Sequence, residues 1–292
     1  MKEIVVLSGK GGTGKTSITA ALAVVAGSDA IIADCDVDAA NMHLLLEPDF
    51  KQKKEFYSGL LASINLDVCS LCGICAETCR FHAITLESGR YHVSKLDCEG
   101  CGFCARVCPE NAISMDSRRS GYSFVSNTRI GNVLVHARLD IGAENSGKLV
   151  AGVKREAKAL ADIQNKKYLL VDGSPGIGCP VVSSLAGAHY VILVTEPTLS
   201  GIHDLKRIQS LIRRFRIKTG CIINKYDLNL EMSSEIEAYS AAQGIDLIAR
   251  LPFDMAFNEA MLLGKTVTET DSRFRSDFQE IWNRIQWYLN QI

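Results

Sequence analysis

Apolar residues along the chain fall in short runs that alternate with longer stretches of helical period. Ile4–Leu7 is such a run, and a glycine-rich turn separates it from Ser17–Ala26, which reads as a helix. Ala30–Ala33 is a second run, ending at Asp34. After an interruption the alternation resumes. Lys148–Ile163 reads as a helix, Tyr168–Val171 as a strand ending at Asp172, and Tyr190–Val194 as a strand before Glu196-Pro197. Ser200–Ile212 and Ser233–Gln243 read as helices, Gly220–Ile223 as a strand before Asn224-Lys225, and Leu247–Arg250 as a last strand before Pro252. Apolar strands alternating with helices predict an α/β fold with a mostly parallel sheet covered on both faces.

The interruption has its own pattern. Of 11 cysteines, 8 lie between Cys69 and Cys108. Cys69, Cys72, Cys75 and Cys79 recur 29 positions later as Cys98, Cys101, Cys104 and Cys108, and Ala83-Ile84 recurs as Ala112-Ile113. Thr85–Val93, with Gly89 inside it, reads as a hairpin between the halves. A chain of 292 residues accommodates about two domains. The expected organisation is an α/β domain in two parts, 1–61 and 118–292, with an inserted domain at 62–117.

Charge and composition narrow the function classes. The 32 Lys+Arg and 33 Asp+Glu give a net charge of −1, which offers no footprint for stable nucleic-acid binding. A hydrophobic fraction of 47% excludes bulk disorder. No apolar run reaches the ~18 residues of a membrane span, and Met1-Lys2-Glu3 opens no signal peptide, so a cytoplasmic location is expected. Thiols gathered in one block of a long chain point to metal binding in a reducing compartment rather than to a disulfide framework.

Gly9-Lys10-Gly11-Gly12-Thr13-Gly14-Lys15-Thr16 fits G-x-x-x-x-G-K-[ST] between a strand and a helix. Glycines let backbone N–H groups close on phosphate oxygens, and the helix that carries Ser17 turns its positive end toward the anion. Lys15 is expected on the β/γ-phosphates of ATP, and the Thr16 hydroxyl on Mg²⁺.

The same loop resembles the deviant Walker A of the MinD/ParA/Mrp P-loop ATPases, marked by the early second lysine, Lys10. The resemblance covers about 1–60 and 118–292. It implies an ATP-dependent homodimer, or a heterodimer with a related ATPase, in which Lys10 reaches the partner's nucleotide. It further implies a switch I at Asp34-Cys35-Asp36-Val37-Asp38, where Asp36 orients the attacking water or holds a magnesium-bound one. Asp34 and Asp38 stay open between such help and turn chemistry. Asp172-Gly173-Ser174-Pro175-Gly176 resembles switch II, with Asp172 on a magnesium water and an N–H near Gly176 sensing the γ-phosphate. Asn224-Lys225 resembles the adenine contact of the family, and Pro252-Phe253-Asp254 its late base-lining loop. No glutamine or arginine finger stands out, so slow turnover that needs dimerisation or a partner is expected.

Cys69-x₂-Cys72-x₂-Cys75-x₃-Cys79 and Cys98-x₂-Cys101-x₂-Cys104-x₃-Cys108-Pro109 resemble the run of small α+β bacterial-type ferredoxins with two [4Fe–4S] clusters. In that run the fourth cysteine ligates the other cluster. The resemblance therefore implies one cluster on Cys69, Cys72, Cys75 and Cys108 and another on Cys98, Cys101, Cys104 and Cys79. Arg80 stands where the second run has Pro109, a departure that touches the local turn and one cluster's potential. Zinc motifs pair two cysteines with two distant ones, a different spacing.

Four weaker signals stay open. Cys179, after switch II, is a cluster ligand or a small buried hydrophobe, with Cys35 and Cys221 as the only spare thiols. Residues 136–148 form a partner-facing loop, or a helix N-cap by Asn145 or Ser146. Lys206-Arg207 and Arg213–Lys218 read as a solvated helix face rather than a DNA surface. Phe274, Phe278, Ile281, Trp282, Ile285, Tyr288 and Leu289 have helical spacing and fit core packing better than a membrane-surface helix.

The whole resembles MinD-superfamily ATPases with inserted ferredoxins, such as those of orange-protein complexes. That implies ATP-gated electron transfer to a redox or metal-cofactor protein. A cluster or metal-cofactor carrier ATPase, and a MinD-like positioning ATPase with structural or sensing clusters, are the alternatives.

Overall fold

Short apolar runs bounded by turn residues become buried strands, and the periodic stretches become helices laid over them. The computed structural model describes residues 1–143 and 147–291. In chain order the elements are β1 (Lys2–Leu7), α1 (Lys15–Ala26), β2 (Ala30–Asp34), α2 (Met42–Leu46), β3 (Gln52–Ile64), α3 (Ile74–Glu77), β4 (Ile84–Glu87), β5 (Arg90–Val93), α4 (Phe103–Val107), β6 (Ile113–Asn127), β7 (Val133–Leu139) and α5 (Gly147–Ile163). There follow β8 (Tyr168–Asp172), α6 (Cys179–Leu185), β9 (Tyr190–Thr195), α7 (Leu199–Phe215), β10 (Lys218–Asn224), α8 (Leu230–Ala242), β11 (Asp246–Leu251), α9 (Ala256–Leu262), α10 (Val267–Thr270) and α11 (Ser272–Leu289). The chain divides into two compact units, one of Met1–Lys54, Ser123–Arg138 and Asn145–Ile292, the other of Glu55–Tyr122 and Leu139–Glu144.

The large sheet has the order β11-β10-β9-β1-β8-β2-β7-β6-β3. From β11 to β7 its neighbours pair in parallel. Val6 of β1 and Asp34 of β2 both stand opposite Asp172 of β8. The carboxyl ends of these strands therefore open on one edge, where ligands of parallel α/β sheets bind. Phe274, Phe278, Ile281, Trp282, Ile285 and Leu289 of α11 are buried in one core with Ile4, Ile18 and Leu22. The terminal helix is thus a core element, held by its own apolar stripe.

Several boundaries move from the expected ones for local reasons. α1 starts at Lys15, directly after Gly14 at φ 88°. α8 starts at Leu230 rather than Ser233, because the Asn229 side chain accepts the Met232 N–H and caps the helix there. The expected 136–148 loop is a strand in its first part. His136 lies in β7, buried, stacked on Phe124 and hydrogen-bonded through Nε2 to Ser126 Oγ at 3.1 Å. The N-cap expected of Asn145 or Ser146 falls outside the described residues.

The second unit has its own core of Ala62, Cys75, Ala83, Ile84, Cys98 and Ile113. β4 and β5 form an antiparallel hairpin with Glu87 opposite Arg90, turned by Ser88 at φ 49° and Gly89 at φ 77°. Two positive φ values in a two-residue turn match the strands' twist. The 29-residue repeat is also a backbone repeat. Leu71 and Gly100, Gly73 and Gly102, and His82 and Asn111 all have positive φ.

Candidate functional site

The loop between β1 and α1 is shaped by two close approaches. A Cβ on Gly9 would lie 2.4 Å from the Asp204 Cβ, and one on Gly14 would lie 2.5 Å from Asn224 Nδ2. Gly12, at φ 81°, has open space and is there for its backbone conformation. No side chain caps the N-terminus of α1, which leaves its first N–H groups for an anion. They face a cavity of about 440 Å³. Gly11 to Ser17 line one side, and Leu44, Phe253, Phe257 and Met261 give the other an apolar wall. Among the described residues the buried Thr13 hydroxyl has no hydrogen-bond partner, although Thr13 lines the cavity.

Four expected residues meet at the sheet edge. Lys15 Nζ donates to Asp172 Oδ1 at 2.8 Å and to Asp36 Oδ2 at 3.0 Å. Thr16 Oγ1 donates to Asp172 Oδ2 at 2.7 Å. Thr19, which the motif does not name, adds a bond to Asp172 Oδ1 at 3.3 Å. Burial works against the Lys15 ammonium, but the charges of Asp172 and Asp36 outweigh it and hold its pKa above the ordinary lysine value. Burial raises Asp36 despite that cation. Asp34 is raised well above the usual carboxylate range by burial and then by the charge of Asp172. Its Oδ1 accepts the Asp36 N–H at 3.1 Å, which orders the turn after β2.

The two segments expected to be switches are tied to each other. Ser174 Oγ donates to the Cys35 carbonyl at 2.7 Å. The Gly176 N–H donates to the Ser8 carbonyl at 3.0 Å, so this N–H is engaged with the phosphate loop itself.

Lys10 is absent from the cavity lining. Its Nζ sits 2.6 Å from Glu196 Oε1 and donates to Ser200 Oγ at 2.9 Å and Thr198 Oγ1 at 3.4 Å. An ammonium has three donors, and all are taken. Lys225 holds the other Glu196 oxygen at 3.2 Å. Despite partial burial, these two lysines keep the Glu196 pKa below its ordinary value. Asn224 lines the cavity, but its Nδ2 donates to the Thr13 carbonyl at 2.8 Å and its Oδ1 accepts the Lys225 N–H. Pro252 and Lys225 also line the cavity. Glu196 was visible in the sequence only as a strand end.

In the second unit, Cys79, Cys98, Cys101 and Cys104 line a cavity of about 430 Å³. Cys69, Cys72, Cys75 and Cys108 line a separate, narrow one of about 10 Å³. Each fourth cysteine receives a backbone N–H on its sulfur, Ala83 to Cys79 Sγ at 3.4 Å and Ala112 to Cys108 Sγ at 3.3 Å. A Cβ on Gly100 would lie 2.3 Å from the Leu60 carbonyl oxygen, and one on Gly73 would lie 2.9 Å from Tyr91 Oη. Among the described residues, no three His, Cys, Asp or Glu side chains gather around one ion position.

Of the weaker signals, Cys179 is exposed, while Cys35 and Cys221 are buried. Burial pushes the Cys221 thiol up to about 12. Arg207 pairs with Asp204, Arg213 bonds Gln243, and Lys206 lies over the Tyr239 ring. Among the described residues, no helix is long and apolar enough to cross a membrane.

Comparison with known proteins agrees with this architecture. The family described as CobQ/CobB/MinD/ParA nucleotide binding domain matches residues 4–267. An uncharacterised protein of Methanocaldococcus jannaschii is 30% identical over 98% of this chain and 97% of its own length. The septum site-determining protein MinD from Pyrococcus horikoshii, solved with Mg-ADP, is similar with a TM-score of 0.58 at 20% identity, covering 97% of this chain and 95% of that one. A ParA family ATPase from Chlorobium tepidum gives 0.56 at 18% identity, covering 99% and 98%. Both structural likenesses are of fold.

Proposed function

The chain belongs to the CobQ/CobB/MinD/ParA nucleotide-binding family, and from that premise we propose a Mg²⁺-dependent ATPase whose nucleotide-driven dimer gates electron transfer from two [4Fe–4S] clusters to a partner metalloprotein. The observation that carries this reading is the repeated cysteine backbone, which puts each implied cysteine set on its own lining, on a chain that also holds a phosphate-loop cavity. The MinD likeness, solved with Mg-ADP, supports the nucleotide part.

At the ATPase site the β- and γ-phosphates draw Lys15 away from Asp36 and Asp172. Thr16 and Asp172 would hold Mg²⁺ or its waters, which would neutralise phosphate charge, and Asp36 would align the water that attacks the γ-phosphorus or hold a magnesium-bound one. Water adds to the γ-phosphorus, the bond to the ADP oxygen breaks, one water proton stays on the phosphate and the other passes to solvent, and ADP and phosphate leave. The unpartnered Thr13 hydroxyl and the uncapped start of α1 suit an anion here. Lys10 leaves Glu196 for the nucleotide of the partner in the dimer. Asn224 braces the phosphate loop through Thr13 while facing the base side with Pro252.

In the inserted domain, proposed at 62–117, the donor sets suit clusters. Their spacing differs from that of zinc motifs, which pair two cysteines with two distant ones. A cube spreads its thiolates over separate irons. Cys69, Cys72, Cys75 and Cys108 would hold one cluster and Cys98, Cys101, Cys104 and Cys79 the other, and each would supply one-electron storage at low potential. The N–H bonds to Cys79 and Cys108 favour negatively charged sulfur.

The fold likeness also admits a positioning ATPase. Such a protein needs a membrane or DNA surface, whereas here the apolar stripe of α11 is buried, and Arg207 and Arg213 of α7 have partners within the chain. The test is anaerobic purification with iron, sulfide and zinc counting, alongside ATP turnover of wild type and Lys15→Ala. About eight irons per chain and loss of turnover in the variant support the proposal. Stoichiometric zinc or undiminished turnover overturns it.

A further inference from the structure

The two cysteine sites share a repeated backbone and differ in the charges around them. The site of Cys69, Cys72, Cys75 and Cys108 has Glu110 on its lining and no lysine or arginine there. The site of Cys79, Cys98, Cys101 and Cys104 has both Arg80 and Glu99, which balance. Arg118 tips that balance. Its Nη1 donates to the Cys98 carbonyl at 3.2 Å and its Nη2 to the Gly142 carbonyl at 3.1 Å. The fork fixes the cation against the backbone of a cysteine whose own side chain is buried.

Adding an electron makes a cluster more negative. A cation beside its ligands stabilises the reduced form, and a carboxylate opposes it. We infer that the Cys79–Cys98–Cys101–Cys104 site is reduced first, and that Arg118 is the positioning residue that sets this order. The inference rests on the cluster reading above. It gives the unit a direction. One electron from an external one-electron donor settles on the side of Arg118, and the side of Glu110 fills only under stronger reductant. Each step moves one electron, oxidises the donor by one electron, and breaks no bond.

The test is an EPR-monitored redox titration of the full chain purified without oxygen, with dithionite as electron donor. Wild type should show two one-electron waves. Arg118→Gln should lower the upper wave by about 59 mV, a tenfold loss in its reduction constant, and leave the lower one in place. Arg118→Lys keeps the cation and should restore most of the shift, which a purely structural role of the fork would not allow. Glu110→Gln should raise the lower wave alone. Two waves that ignore both charge substitutions, or Arg118→Gln acting on the lower wave, overturn the order. Iron and sulfide are counted on every sample. Their absence from wild type overturns the cluster reading itself, and the inference with it.

Discussion

Replacing Lys15 by methionine removes one charge from a buried group of carboxylates while keeping most of the side-chain volume. Lys15, Asp36 and Asp172 are all buried, with the ammonium 2.8 and 3.0 Å from its two partners. At an effective dielectric of about 20, each contact is worth roughly 5 kcal/mol before desolvation. Desolvation cancels much of that, but deleting one partner of a buried pair leaves the other uncompensated and costs about 3–5 kcal/mol. With ~2–4 °C per kcal/mol for a domain of this size, the melting temperature should fall by roughly 6–20 °C. The assay is thermal unfolding in EDTA, without nucleotide, at pH 7.5 and at pH 5. Burial already raises Asp36 above its ordinary 3.8, and without Lys15 it rises further. A carboxyl raised in the folded state contributes stability that is complete below the unfolded pKa and lost as pH rises through the folded one. The deficit should therefore shrink at pH 5, and Mg²⁺ added in excess over EDTA should recover part of it at pH 7.5. A variant that melts at or above the wild-type temperature at pH 7.5, or whose deficit grows toward pH 5, refutes the reasoning.

Lys10→Ala should leave ATP binding by the single chain nearly unchanged and abolish ATP-dependent dimerisation in light scattering; equal loss of both would place Lys10 at its own nucleotide. Burial lowers the His136 pKa to about 4 from 6.5, so the group contributes stability above pH 6.5 that is lost as pH falls through about 4. That contribution is worth up to about 3 kcal/mol, and NMR of the ring should show no titration above pH 5. Gly100→Ala brings a methyl within 2.3 Å of the Leu60 carbonyl oxygen at a positive φ, whereas Gly89→Ala meets open space. The first should cost about 2–4 kcal/mol and iron content, the second about 1 kcal/mol. Equal effects on melting would show that the close approach is unimportant.

Features set by adjacent positions were legible in the sequence. The phosphate loop, the strand ends at Asp34 and Asp172 and the cysteine spacing all belong to this class, because a turn or a strand end carries its chemistry locally. Parallel pairing then brings Asp36 and Asp172 to Lys15, as strand order alone can do. Glu196 lies far along the chain from Lys10, and nothing in the strand end after β9 announces it as the lysine's partner. β3 and β6 were not foreseen. Most of their positions are exposed or half-buried, so they lack the apolar runs that mark the central strands. Asn224 has a local signal, strand end before a turn, but its bond to Thr13 arises only from the packing of two distant loops.

In the proposed function, nucleotide state and cluster state are coupled on one chain. The most direct measurement is the EPR spectrum of the dithionite-reduced protein with and without MgATP, for wild type and Lys15→Ala. Two reduced [4Fe–4S] signals are expected, whose shape or midpoint changes on MgATP addition in wild type and stays fixed in Lys15→Ala. Signals that ignore MgATP in both proteins, or no iron signal at all, would contradict that coupling.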